Sequence, residues 1–480
     1  MVLPSKTPIH SHPEDLTQDI VSGGLIRSLI FRRKATREEA TNFGSASRFR
    51  WSIGLIFGIL VAGFGASYQP VTPVALAPSA PINSGDVAWM LTATALVLLM
   101  TPGLSFFYGG MVNRKSALST MLQSFVAMGL ISVVWVVFGF SLCFGTSVGG
   151  LLGDPRTYFM FRNVGGETDA ALAPTIPLAL FALFQLKFAI ITPALITGSF
   201  AERVRFSSYM LFICLFTVFI YAPLAHWTWH PDGFLRQWGV LDFAGGTVVH
   251  MSAGIAALAG ALFLGPRSRH ARGEVATATH VPYVLLGTGM LWFGWFGFNA
   301  GSALAASPSA ALAFLTTNTA SASAMLAWIF FDGAIGRKPS AVGACIGAVV
   351  GLVAITPAAG FVSVGVSMFI GVTASVVCNL AAHWKSRSTI DDTLDVFPCH
   401  GVGGIWGTIM TGIFASGVGL AFGETKTFVA HLEGLAVVSA FVFIGTWILL
   451  KITDAIIPMR VTVQEELVGL DRSQHGEGVL

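Results

Sequence analysis

Two histidines lie inside apolar runs of this sequence, His250 at the end of Asp242-Phe-Ala-Gly-Gly-Thr-Val-Val-His250 and His400 in Asp395-Val-Phe-Pro-Cys-His400. Each is followed by three residues and then Gly-Ile, at Gly254-Ile255 and Gly404-Ile405. A neutral imidazole offers one donor and one acceptor. A pair sharing a proton can therefore hydrogen-bond a small polar solute, or pass a proton, without holding a permanent charge. No third or fourth ligand stands near either histidine, so a metal centre is not expected, nor any other cofactor. Asp242 opens the same run as His250, where a carboxylate caps a helix and accepts first-turn N–H bonds. Direct contact with a passing cation is the alternative role. Trp229, Phe184 and Phe298 are aromatics among many, and core or lipid packing is the plain reading for each. Ser302 follows Phe298 by four residues, so ring and hydroxyl share a helix face. Lys187 is a lone lysine in mid-run, open to snorkelling, to pairing with an acid, or to neutrality. No nucleophile, base and orienter occur together, so an enzyme is not expected.

The elements that hold these residues follow from composition. Apolar residues make up 54% of the 480 positions and charged residues only 11%, and mean hydropathy is +0.73. A soluble domain carries about a quarter charged residues, so this chain belongs in a membrane with its lipids. Its apolar runs are about 20 residues long, the length of a bilayer-spanning helix rather than a barrel strand. The fold class is an all-α polytopic bundle. A net charge of +3 gives no reason to expect nucleic acid. The five cysteines lie in apolar runs without ligand spacing and read as buried thiols.

Residues 1–50 form a polar, basic leader, and 51–83 an apolar stretch with a Pro/Ala-rich linker. The apolar stretch reads as a signal-peptide core or as an extra uncleaved span. The region of long apolar runs is 84–456, and 457–480 is a tail. Eleven spans are expected, near 87–111, 118–144, 173–199, 207–228, 245–265, 281–304, 310–333, 341–357, 360–383, 397–416 and 428–456. One set of loops holds Arg114, Lys115, Arg203, Arg205, Arg267, Arg269, Arg272, Arg337, Lys338, Lys385 and Arg387, the other only Arg156, Arg162, Arg236 and Lys426. The first set is expected inside, with the tail cytoplasmic.

Three segments recur five spans apart: Phe107-Tyr-Gly-Gly110 with Phe298-Asn-Ala-Gly301, Ile191-Thr-Pro-Ala194 with Ile355-Thr-Pro-Ala358, and the two histidine motifs. The two segments of the second pair are expected to close spans three and eight. An odd offset makes the halves antiparallel, a 5+5 inverted repeat over about 84–268 and 280–420, with a peripheral helix at 428–456. Such repeats place a transport path at their interface, near the midplane. Gly343-x-x-x-Gly347-x-x-x-Gly351 supports close helix packing.

Thr101-Pro-Gly-Leu-Ser-Phe-Phe-Tyr-Gly-Gly110, Ala201-Glu-Arg-Val-Arg-Phe206, the Asp242–His250 run, Gly294-Trp-Phe-Gly-Phe-Asn-Ala-Gly-Ser302 and Asp395–Gly404 resemble bacterial ammonium transporters of the Amt/Mep/Rh family. The tail segment Gly469-Leu-Asp471 with His475-Gly-Glu477 resembles theirs too. The resemblance implies an inner (plasma) membrane protein that carries ammonium or ammonia. Trp229, Phe184 and Ser302 would form an outer recruitment site organised by Asp242. Phe184 and Phe298 would stack as a gate, and His250 and His400 would be the pore pair. It also implies a homotrimer whose tails dock on neighbouring subunits and face a PII-type signalling protein. Two departures stand out: the loop from Trp229 to Asp242 is one residue longer than the family pattern, and Lys187 replaces an uncharged residue. The competing readings are a passive, Rh-like gas channel and an ammonium sensor. Lys187, on this reading, should avoid the pore and find a buried polar partner.

Overall fold

The computed structural model describes residues 45–68, 81–274 and 277–478. Most of the leader and the linker at 69–80 lie outside the described residues. The chain divides into two units, Met1–Leu60 and Val61–Leu480. The apolar stretch after the leader forms the helix Ser45–Tyr68, and the remaining elements belong to the second unit.

Eight helical stretches are long and apolar enough to cross a membrane: Ser84–Met111, Arg114–Phe144, Leu178–Phe200, Phe206–Trp238, Gly246–Leu264, Val281–Gly301, Val364–Ser386 and Thr425–Ile456. The other expected spans fall on Pro308–Ala334, on Ala341–Ile355 and on Phe397–Val402 running into Gly403–Phe414. The expected count of eleven thus exceeds by three the helices that meet both criteria. The protein is an all-helical membrane bundle, and its one two-stranded hairpin among the described residues, Ser147–Val148 with Leu152–Gly153, sits in a connection.

Local chemistry sets the helix ends. Asn83 accepts from Gly85 and Asp86 N–H, and Ser307, Ser340 and Ser363 cap the helices that follow them. Each cap satisfies donors that a helix start otherwise leaves bare. Small residues set the spacing between rods. A Cβ on Gly351 would stand 2.5 Å from the Ala320 carbonyl, and one on Gly347 would meet Trp328 and Ala324. The glycine ladder therefore brings Ala341–Ile355 against Pro308–Ala334. One expectation fails: Pro193 does not close its span but lies inside Leu178–Phe200, which continues to Phe200. The other Ile-Thr-Pro-Ala segment behaves as expected, since its helix ends at Ile355 and Pro357 follows.

Candidate functional site: an apolar cavity lined by two histidines

Both histidines sit on π-helical turns of six residues, Gly246–Met251 and Phe397–Val402, each running directly into an α-helix. A π-turn widens the backbone locally and is frequent at functional sites. Glycines bring the two turns together. A Cβ on Gly254 would collide with the Gly401 backbone, and one on Gly404 would lie 2.8 Å from the Gly246 carbonyl. The Gly in each His-x-x-x-Gly motif thus allows the opposite half to approach. In consequence the Nδ1 atoms of His250 and His400 lie 3.4 Å apart, with ring centroids separated by 5.4 Å. Both rings are buried, and His250 Nε2 has no hydrogen-bond partner among the described residues.

A small cavity of about 10 Å³ is lined by both, close to the least that holds one water-sized molecule. His250 and His400 are its polar side chains; Ile191, Leu195, Trp295 and Phe298 are among the apolar ones. Trp295 stacks on His250 at 5.2 Å and donates its indole N–H to Thr356. The wall therefore offers little to replace an ion's hydration shell.

Beyond Phe298 the aromatics continue in sequence, with one correction. The ring stacked on Phe298 is Phe188, at 4.2 Å and 31°, and not Phe184. Phe184 lies one turn earlier, edge-on to Phe188 at 4.9 Å and against Gly301. A helix turn of four residues accounts for the difference: both rings share one face of Leu178–Phe200, but only the later one reaches Phe298. Trp229 closes the row, its ring 5.8 Å from Phe188 and perpendicular to it.

Asp242 is buried beside this row and serves as a cap. Its Oδ1 accepts from Gly245 and Gly246 N–H at 2.7 Å, and its Oδ2 from Thr247 N–H and the Thr247 hydroxyl. Its main-chain carbonyl accepts the Trp229 indole N–H at 3.1 Å. One residue thus holds both the His250 turn and the tryptophan. Ser302 follows the last residue of Val281–Gly301 and donates its hydroxyl to the Phe298 carbonyl at 2.8 Å, which leaves the oxygen lone pairs free to accept. Lys187 is buried, does not reach the cavity wall, and shows no hydrogen-bond or ion-pair partner among the described residues. The polar partner expected for it is not found there.

Three residues near the site escaped the sequence reading. Phe188 was signalled by its four-residue spacing from Phe184. Trp295 had no signal beyond its type. Asp392 lies eight residues before His400, as Asp242 lies eight before His250. It is wholly buried, and its Oδ2 accepts from Phe397 N–H at 2.7 Å.

Comparison with known proteins bears on this arrangement. The model of the Ammonium Transporter Family matches residues 88–479. The chain belongs to the ammonium transporter family. It is 47% identical to a putative ammonium transporter of Methanothermobacter thermautotrophicus, over 82% of this chain and 98% of that one. It is 43% identical to an ammonium transporter of Bacillus subtilis, over 82% and 98%. Among solved structures it resembles Saccharomyces cerevisiae Mep2, with a TM-score of 0.75, 36% identity, and coverage of 80% and 88%. A sensor Amt protein is similar as well, with a TM-score of 0.75, 31% identity, and coverage of 82% and 98%. The eight apolar helices are those of a multi-pass ammonium transporter.

Proposed function

We propose that this ammonium transporter takes up its cation at the Trp229 end, strips one proton from it, and conducts ammonia between His250 and His400. Trp229 and Phe188 supply ring faces for a cation, at about 0.5–2 kcal/mol per contact, and the Ser302 oxygen accepts one of its N–H bonds. Phe184 and Asp242 support this site rather than line it, Phe184 by backing Phe188 and Asp242 by capping. Phe188 over Phe298 is the gate. Below the gate the passage is apolar, so a hydrated potassium or sodium ion gains nothing on entry. Ammonium differs, because it can leave its proton behind at a cost of about 1.4 kcal/mol for each pH unit below its pK. The histidine pair carries that proton separately.

The observation supporting this reading is the pair itself, two imidazoles 3.4 Å apart on an otherwise apolar cavity. The basic loops favour an orientation with the Trp229 end outside and the tail in the cytoplasm of a cell whose plasma membrane holds the protein. A homotrimer with one pore per subunit, and a PII-type protein at the tail, complete the reading. Residues 84–456 are the transporter, preceded by a leader and an apolar segment. The sensor Amt protein among the similar structures motivates a second reading, in which occupancy of the site is reported rather than turned into flux.

Purified protein in liposomes on a supported membrane distinguishes the two. An ammonium-evoked current is expected from the native protein, none from potassium, and none from the His250→Ala/His400→Ala double variant. A silent native protein that still binds ammonium favours the sensor. A double variant with native current and selectivity removes the histidines from the mechanism.

A further inference from the structure

We propose that Asp392 is the positioning residue for His400, holding the histidine's π-turn in register with His250 by accepting a hydrogen bond rather than by supplying charge. The inference rests on the pore reading above and adds a residue to it. Asp392 Oδ2 takes the Phe397 N–H at 2.7 Å, and Phe397 opens the turn Phe397–Val402 that carries His400. Asp242 does the same for the turn that carries His250. The likeness extends to the main chain. The Asp242 carbonyl is held by the Trp229 indole, and the Asp392 carbonyl by Lys385 Nζ at 2.7 Å.

Asp392 is also braced by its neighbours. Asp391 is gripped by Arg267 through its main-chain N–H, Nε and Nη2, at 2.8–2.9 Å. The Thr393 hydroxyl accepts Arg203 Nη1 at 2.7 Å and lies within 3.3 Å of the Ser199 carbonyl. The carboxylate therefore starts from a fixed point. If the Phe397 bond is lost, the first N–H of the turn loses its acceptor and the Cys399 N–H on the Asp395 carbonyl is left to tie the turn to the preceding loop, and a 3.4 Å contact between two rings tolerates little displacement.

The unpartnered second oxygen argues that one acceptor suffices. Burial pushes the Asp392 carboxyl above its ordinary value, with Lys385 acting against it. Its Oδ1 has no hydrogen-bond partner among the described residues, so a carboxamide fits with its oxygen in the Oδ2 place. Asp392→Asn should then keep the cap, while Asp392→Ala loses it.

The test compares ammonium-evoked currents of the full chain in liposomes for the native protein, D392A, D392N and His400→Ala. D392A is expected to lose at least tenfold in maximal current with half-saturation within twofold of native, because recruitment lies at the other end of the pore. D392N is expected to stay within threefold of native in both. A D392A current within twofold of native overturns the proposal, as does a folded, monodisperse D392N as weak as D392A. If D392A does not yield folded protein, D392N decides alone: loss of current in the folded variant refutes the assignment. His400→Ala separates the two levels. Native current in that variant sinks the pore reading and this inference with it. A silent His400→Ala beside an active D392A sinks this inference alone.

Discussion

Trp229 is held by its edge and offers its face. Its indole N–H is bound to the Asp242 carbonyl, so removal of the ring should disturb two things at once. Trp229→Leu keeps bulk but loses the π face, and ammonium half-saturation should rise about two- to thirty-fold, the equivalent of about 0.5–2 kcal/mol. Unchanged half-saturation in the same current assay would exclude the ring from recruitment. The gate makes a sharper comparison. Phe188 touches both Phe298 and Trp229, whereas Phe184 touches Phe188 from behind. Phe188→Leu should therefore alter half-saturation and selectivity more than Phe184→Leu, and equal effects would count against Phe188 as the gate ring. At this scale the sequence revealed residue types and spacing, and the histidine pair was legible because it recurred. The ring that stacks on Phe298 lies one turn beyond Phe184, because spacing defines a helix face, not the height at which a ring meets its partner.

The two π-turns are the elements on which the site depends. Each is opened by a buried aspartate and crossed by glycines of the other half. Asp242 accepts five donors within hydrogen-bond range at its turn, counting the Thr247 hydroxyl and the longer Val248 N–H. An exposed cap contributes about 1 kcal/mol, and a buried one leaves unsatisfied N–H groups when removed, at about 1–3 kcal/mol. Asp242→Ala should lower the apparent unfolding midpoint of the detergent-solubilised protein, with Asp242→Asn recovering only part of the loss, because both carboxylate oxygens accept and a carboxamide has one acceptor. Equal midpoints for Ala and the native residue would deny the cap its structural weight. Eight of the expected spans fall on helices of bilayer length, since long apolar runs leave few choices. The π-turns were not readable, because a widened turn has no composition of its own. Pro193 shows a related limit: its ring suggests a helix end, yet the helix continues through it.

At the scale of the molecule, the basic loops converge with the tail. Arg267 pairs with Glu202 and Asp391, and Arg203 lies 4.0 Å from Asp391, all of them buried. The tail adds Val461 N–H on the Arg203 carbonyl, Arg460 on the Leu264 carbonyl, and Glu465 on Arg205. Further on, Asp471 accepts from Leu118 and Ser119 N–H, capping the helix Ala117–Val134 within the same chain. Burial works to raise the Asp391 carboxyl, but Arg267 and Arg203 outweigh it and hold the group at about 2. A depressed carboxylate stabilises the fold above its ordinary value of 3.8 and loses that contribution as pH falls toward 2. Asp391→Ala should destabilise by about 3–5 kcal/mol near neutrality, since it leaves buried arginine charge unpaired, and the deficit should shrink below pH 4. Unfolding midpoints across that range check the sign, and a deficit independent of pH would contradict it. Asp471→Ala should free the tail for limited proteolysis without lowering the midpoint comparably; a tail as protected as the native one would deny the contact its role. Charge bias among the loops made this face legible as a set. Which arginine meets which acid was not, because the partners lie far apart in the chain.

The contact between the two Nδ1 atoms has a sense of direction. Only one of two facing nitrogens can carry the hydrogen between them, so one ring gives and the other receives. The giving ring then turns a bare Nε2 away from its partner, and the receiving ring turns away an N–H. The pair is thus polar end to end although its chemistry is symmetric. A proton added at the bare end and released at the other reverses that polarity, and a second proton cannot follow the same way until both rings have turned back. Under the proposed relay, reorientation of two buried imidazoles, one against Trp295, becomes a reset that each passage must wait for. Maximal throughput should then track the freedom of these rings to rotate, and Trp295→Phe, which thins the stack, should change the turnover ceiling and leave half-saturation alone.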